Sequence, residues 1–306
     1  MNRSLLRMLL VACAVLVVAA APRAALSAPV TFIGSFPAGG IPCGLGLGPN
    51  GTLYVADEYN NIGLHLFSQS GVPMGTFDPG GAIESYGIGF LSDGSVVFAD
   101  YYGKRVLHYS TGGVFLGQFS TGGLVSSWLA VDPSDNIYVV DDNGDRVRKF
   151  TSTGALITDW YVNHPAGIAF TEGKVFVTEM WAGHINVYLP DGTPQGSFSN
   201  AGATFAQQLH ANGAGLLYLG DHGTDMLRCF NTAGVLQWTL GPAVAGYPYA
   251  NAELFSVAQA PDGTLFVGDF NNNNVLIFTP SPTATVRNTF GALKARYRVT
   301  GTGTNP

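Results

Sequence analysis

Leu53-Tyr54-Val55-Ala56-Asp57 decides the fold, because the chain writes this stretch six times. The other copies are Val97-Phe98-Ala99-Asp100, Tyr138-Val139-Val140-Asp141, Phe176-Val177-Thr178-Glu179, Tyr218-Leu219-Gly220-Asp221 and Phe266-Val267-Gly268-Asp269. Their acids recur after 43, 41, 38, 42 and 48 residues. Ahead of each copy stands a small apolar segment, such as Gly44-Leu45-Gly46-Leu47 or Gly87-Ile88-Gly89-Phe90. Nine residues beyond the acids come Tyr109, Phe150, Tyr188, Phe230 and Phe278; the first copy takes ten residues to reach Phe67. Four residues later stands a glycine in five copies: Gly71, Gly113, Gly154, Gly192 and Gly234. A self-similar period near 40 residues is the mark of a repeat architecture.

Each feature has a physical reason. Six first strands crowding around an axis must be small. Strands rich in β-branched and aromatic residues suit blades buried on both faces. Pro49-Asn50-Gly51 and Pro261-Asp262-Gly263 supply the positive φ of tight hairpins. One such sheet alone would leave a face bare, whereas radial stacking of six covers both. The expected fold is therefore all-β, a six-bladed β-propeller of four-stranded antiparallel blades. Outer strands end in Met74-Gly75-Thr76-Phe77, Leu116-Gly117-Gln118-Phe119 and Gln195-Gly196-Ser197-Phe198. Nothing similar follows Phe278, but Phe32-Ile33-Gly34-Ser35-Phe36 stands at the other end of the chain. That N-terminal strand is expected to complete blade six and close the ring.

These segments resemble NHL repeats. Pro165-Ala166-Gly167-Ile168-Ala169 and Leu53-Tyr54-Val55-Ala56-Asp57 carry the likeness, and Gly144-Asp145-Arg146-Val147 through Phe150 matches more loosely. The likeness runs over residues 31–279. It implies the propeller and leaves the activity open, since unrelated functions share such scaffolds.

The propeller is expected over residues 29–280, flanked by two segments of other character. Arg3 and Arg7 precede an apolar run from Met8 to Ala21, 14 residues long, followed by small residues up to Ala28. This pattern is that of a signal peptide over residues 1–28, too short for a comfortable membrane span. A secreted, periplasmic or cell-surface protein follows. Leu10-Val11-Ala12-Cys13 also fits a lipobox, but much of the apolar core lies after Cys13, which favours simple cleavage. Residues 281–306 form a linker and a basic tail with Arg287, Lys294, Arg296 and Arg298. The tail serves as a solvated end or as a sorting element.

Residues 29–280 hold all 20 acids and 7 of the 14 bases, a balance of 7 − 20 = −13. An acidic body lacks the basic face that a nucleic-acid backbone requires. The propeller retains Cys43 and Cys229. The repeat puts them in blades that do not touch, so two separate buried thiols are expected rather than a disulfide.

The six repeat acids are read as acceptors for backbone N–H groups in adjacent turns. Residues that break the repeat are the better site candidates. Tyr59, Tyr101, Tyr102, Trp160, Tyr161, Met180 and Trp181 fall at one end of the barrel of blades, the end carrying the acids. Such aromatics suit a carbohydrate or peptide, or else packing between loops. His164, His184, His210 and His222 concentrate in blades four and five. Histidine is a common metal ligand and general base. Some NHL propellers resemble peptidylglycine amidating lyase, and streptogramin lyases look similar. That resemblance implies a metal site on His164, His210 and His222, with zinc or calcium as the cation. No phosphate-cradling loop, nucleophile elbow or His-Glu-x-x-His motif occurs.

The expected function is non-catalytic binding of a protein, peptide or glycan at the channel face, without a cofactor and as a monomer. The alternatives are the metal-assisted lyase, a lactonase-like activity on the acids, and a structural part in a surface assembly.

Overall fold

A computed structural model describes residues 26–27, 30–58, 62–80, 84–122 and 126–281. Residues 1–25 of the leader, with Cys13, as well as Tyr59 and the tail beyond Ser281, lie outside the described residues.

Six four-stranded antiparallel blades form a β-propeller. Blade one is Pro42–Leu47, Leu53–Asp57, Leu64–Phe67 and Pro73–Phe77. Blade two is Ser85–Phe90, Val96–Asp100, Arg105–Tyr109 and Phe115–Ser120; blade three is Ser126–Val131, Ile137–Asp141, Arg146–Phe150 and Leu156–Tyr161. Blade four is Pro165–Thr171, Lys174–Glu179, His184–Tyr188 and Pro194–Ser199. Blade five is Ala206–Ala211, Leu216–Asp221, Met226–Asn231 and Leu236–Leu240. Blade six is Leu254–Gln259, Leu265–Asp269 and Asn274–Pro280, and its outer strand is Val30–Pro37, so the N-terminal strand closes the ring as expected. Leu26–Ser27, which the sequence places in the leader, runs parallel beside Trp238 and Thr239 at the edge of blade five.

The first strands of successive blades touch all the way round and form the inner wall. Their small residues are a steric necessity. A Cβ on Gly44 would collide with the carbonyl oxygen of Tyr86 in the next blade, and one on Gly167 would stand 2.5 Å from the Leu209 nitrogen. Blade six carries Ser256 instead, whose hydroxyl donates to Pro42 O at 2.7 Å and ties the last blade to the first.

Every blade has a register irregularity between its first and second strands and another between its third and fourth. Bulges increase local twist, and a propeller blade needs strong twist between its inner and outer edges. The second strands are buried along almost their whole length. Each fully buried Val, Leu or Phe contributes roughly 1.5–3 kcal/mol.

The recurring glycine has a packing cause. A Cβ on Gly71 would stand 2.5 Å from the ring of Phe36, in the outer strand of blade six. The same contact recurs at Gly113 with Phe77, Gly154 with Phe119, Gly192 with Trp160 and Gly234 with Phe198. In five of the six outer strands one aromatic thus lies over the turn of the next blade.

Cys43 and Cys229 are buried free thiols. Cys43 Sγ donates to Ser85 O at 2.8 Å. Burial pushes the Cys229 thiol up to about 12 and Cys43 well above its ordinary value.

Candidate functional site

The turns after the second strands and the connections between blades share one end of the propeller, and the repeat acids lie beneath them. Asp57 accepts from Ile41 N–H, Asp100 from Gly103 N–H and Asp141 from Gly144 N–H. Asp221 accepts from Phe205 N–H at 2.8 Å, and Asp269 from Glu253 N–H at 3.0 Å. The longer Glu179 instead accepts from the Asn186 amide at 2.7 Å. These carboxylates hold turns in place and stand behind the surface.

The residue just after each acid differs from blade to blade. In blades two, three and four these are Tyr101, Asp142 and Met180, which line a cavity of about 290 Å³ with Glu84, Tyr86, Tyr102, Trp128, Ala166 and Gln207. Tyr86 is the second residue of the first strand of blade two, and its ring lies 5.7 Å from Trp128 and 5.8 Å from Tyr101. Tyr101 meets Tyr102 edge-on at 5.7 Å. Tyr101 N–H donates to Glu84 O, fixing the tyrosine turn to the blade connection.

Glu84 is only 6% exposed. Tyr86 Oη donates to Glu84 Oε1 at 2.5 Å and lies 3.1 Å from Glu58 Oε1. Burial, with these charges added, keeps the Tyr86 hydroxyl protonated far above the ordinary range. The Glu84 charge also raises the Tyr102 hydroxyl. Burial raises the Asp142 carboxyl, and its Oδ1 atom is buried with no hydrogen-bond partner among the described residues. The cavity therefore has aromatic walls, two carboxylates and, among the described residues, no lysine or arginine.

Trp128 of blade three reaches Phe255 of the opposite blade six at 5.9 Å. Both are buried, so these two opposite blades meet across the axis. A second cavity of about 200 Å³ shares Tyr86 and Trp128 with the first and is lined further by Leu45, Phe90, Phe170, Gln208 and His210 among others.

The histidines lie at different depths. His210 is in the inner cavity, near the far end of its strand and opposite Tyr218. Burial pushes its pKa down to about 4. The strand level of His222, just after Asp221, pairs with Ala206, four residues or roughly 13 Å away along the strand. His164 and His222 remain at the acid end, joined by rings: His164 to Trp181 at 5.1 Å, Trp181 to Phe205 at 6.0 Å and Phe205 to His222 at 5.4 Å. His164, His210 and His222 do not converge, so they do not fit a shared metal. Among the described residues no group of three or more His, Cys, Asp or Glu side chains could hold one.

The other expected residues divide. Tyr101 and Met180 line the mouth cavity, and Trp181 projects beside it, 62% exposed. Tyr161 is exposed at the end of an outer strand, donating to Asn163. Trp160 packs between Tyr138 and Tyr188 as a blade contact. His184 begins a third strand instead of lying in a loop, and its Nδ1 meets Ala182 O at 2.8 Å. His222 Nδ1 is bonded to Glu253, a nearly buried carboxylate.

Sequence reasoning missed Glu84, Tyr86, Trp128, Asp142 and Glu253. Two signals point to them. The position after the repeat acid varies (Glu58, Tyr101, Asp142, Met180, His222, Phe270) while the acid is kept. The residues opening the first strands vary in the same way.

No family model matches this chain, and no curated protein matches it. Solved structures share its fold. Virginiamycin B lyase from Staphylococcus aureus superposes with a TM-score of 0.58 at 13% identity, over 77% of this chain and 79% of that one. A catalytically inactive variant of that enzyme with quinupristin gives 0.59 at 14% identity and the same coverage. A streptogramin B lyase gives 0.60 at 12% identity, over 82% of this chain and 96% of that one. At these identities the likeness shows the six-bladed propeller alone.

Proposed function

We propose that this chain is an exported binding propeller that holds a protein, peptide or glycan at the acid-end mouth. One observation carries this reading: the aromatic-walled cavity of Tyr86, Tyr101, Tyr102 and Trp128, flanked by exposed Trp181. Large rings with polar edges supply contact area at little entropic cost, and they dominate many binding surfaces. The N-terminal pattern of Arg3, Arg7 and the Met8–Ala21 run supports export.

The test is capture of peptides and glycans by the protein lacking residues 1–28, against Trp181→Ala and Tyr102→Leu variants. Both side chains are 62% exposed, so the fold tolerates their loss. Saturable capture that both variants weaken supports the reading. Capture indifferent to both overturns it.

A second reading, a lyase, is favoured by His222. Its Nδ1 is held by Glu253 and its ring is packed on Phe205 and Phe270, which fixes an imidazole at the mouth. An oriented imidazole can act as a general base. The enzymes with the same fold act on streptogramins by name. Incubation with quinupristin, followed by liquid chromatography, tests this. A product that forms with the native protein and not with His222→Ala would put the lyase first. Unchanged quinupristin leaves binding as the function.

A further inference from the structure

We propose that the mouth cavity selects an organic ammonium group, a protonated or quaternary amine seated against Tyr86, Tyr101, Tyr102 and Trp128 beside Glu84 and Asp142. This deepens the binding function and rests on its choice of site.

Three observations converge on it. The first is wall geometry. Tyr86 is inclined at 59° to both Tyr101 and Trp128, and Tyr101 stands at 86° to Tyr102. Rings at such angles surround a space with π-faces and edges, as a cation–π cage does. The second is charge. Two carboxylates line the cavity and no lysine or arginine does among the described residues. The third is an unmet bond. Asp142 Oδ1 is a buried oxygen with no hydrogen-bond partner among the described residues, so that atom is open to a donor.

The same features exclude other ligand classes. An anion would meet Glu84 and Asp142 without a counter-charge. A small metal ion wants several oxygen or nitrogen ligands, and no such cluster is present among the described residues. A neutral ring would leave Asp142 Oδ1 unpaired unless it donated a hydroxyl there. An ammonium meets both the carboxylates and the rings. The volume of about 290 Å³ is at the lower edge of the ~300–1,000 Å³ usual for ligand sites, which suits a head group rather than a whole large ligand. The head group could belong to a free amine or to a lysine side chain on a peptide.

The experiment titrates the protein lacking residues 1–28 with choline, with the neutral analogue that has carbon in place of the nitrogen, and with acetyl-lysine methylamide. Tryptophan fluorescence reports binding, because Trp128 lines the cavity. Choline or the lysine amide should bind at least about tenfold more tightly than the neutral analogue. Glu84→Gln and Tyr102→Leu should each weaken that binding about tenfold, with melting temperatures near the native value. Choline ahead of the lysine amide identifies a small-molecule ligand, and the reverse order a peptide side chain. Equal affinity for choline and its neutral analogue overturns the proposal, as does absence of saturable binding by either amine, or native affinity in Glu84→Gln. If partner capture still depends on Trp181 and Tyr102 while amine selectivity is absent, the ammonium inference fails alone. If capture is also indifferent to both, the binding function fails with it.

Discussion

The ring of Phe36 lies over Gly71 so closely that a methyl group on that glycine would stand 2.5 Å from the ring carbons. Phe36 belongs to the N-terminal strand and Gly71 to blade one, so this contact seals the junction between the two ends of the repeat array. Four further blade junctions use the same pair, from Phe77 over Gly113 to Phe198 over Gly234. The closing seam is therefore built with the chemistry of the others.

Gly154→Ala should destabilise the propeller by about 1–3 kcal/mol through overpacking against Phe119. Gly173→Ala is the control. Its φ of +71° is similarly left-handed, but nothing lies within 4 Å of the added carbon. It should cost about 1–2 kcal/mol, the left-handed backbone penalty that Gly154→Ala also carries on top of its overpacking. Urea unfolding of both variants measures the difference; equal losses would remove the ring contact as the reason for the glycine.

Removing residues 31–36 should lower the melting temperature sharply. Phe36 packs on Phe67 at 5.0 Å, and Phe32 on Phe278 at 5.8 Å. The milder Phe36→Ala should cost about 3–5 kcal/mol, as for other buried rings. Calorimetry of both variants checks this, and an unchanged melt would show that the strand is dispensable for closure.

Arg228 Nη1 is 2.9 Å from Asp221 Oδ2, and both side chains are almost wholly buried. Asp221→Ala should cost about 3–5 kcal/mol, because it leaves a buried guanidinium unpaired. Replacing both residues together with apolar ones should cost much less. Burial alone would raise the Asp221 pKa, but hydrogen bonds from Thr224 and the Phe205 and Gly223 N–H groups, with the Arg228 charge, lower it. Its folded pKa thus lies below the unfolded value of about 3.9. The contribution is complete above that value and is lost as pH falls through the folded pKa. Acid unfolding of the native protein and the double variant measures it.

His210 gives a second pH dependence in a different window. Burial depresses its pKa to about 4, from about 6.5 in the unfolded chain. Between those values the unfolded state binds more protons, so stability falls as pH drops from about 6.5 toward 4. Asp142 and Glu253, whose pKa values are raised first by burial, act in the opposite direction as they take up protons. Comparison with His210→Gln isolates the histidine. The variant should lose less stability than the native protein between pH 7 and 4, and parallel curves would show that His210 is not desolvated.

The sequence alone determined the architecture. Six copies of an acid-terminated strand, each with an aromatic nine or ten residues on, admit one economical way to bury both faces of every blade. The missing outer strand of blade six and the spare strand at Phe32–Phe36 made the closure legible too. Such features are periodic, and periodicity survives in one dimension. The mouth was only partly legible. Tyr101, Met180 and Trp181 could be placed at the acid end, because strand direction assigns every turn to an end. Which residues meet across the axis could not be read. Trp128 and Phe255 are 127 positions apart and come from opposite blades, yet their rings meet at 5.9 Å. His210 and His222, only twelve positions apart, stand at different depths because the strand level of His222 is four residues from His210. Alternation along a strand tells which end and which face a side chain occupies. Depth along the axis and the neighbour across it depend on how six blades of unequal loops come together, and only the tertiary structure decided those.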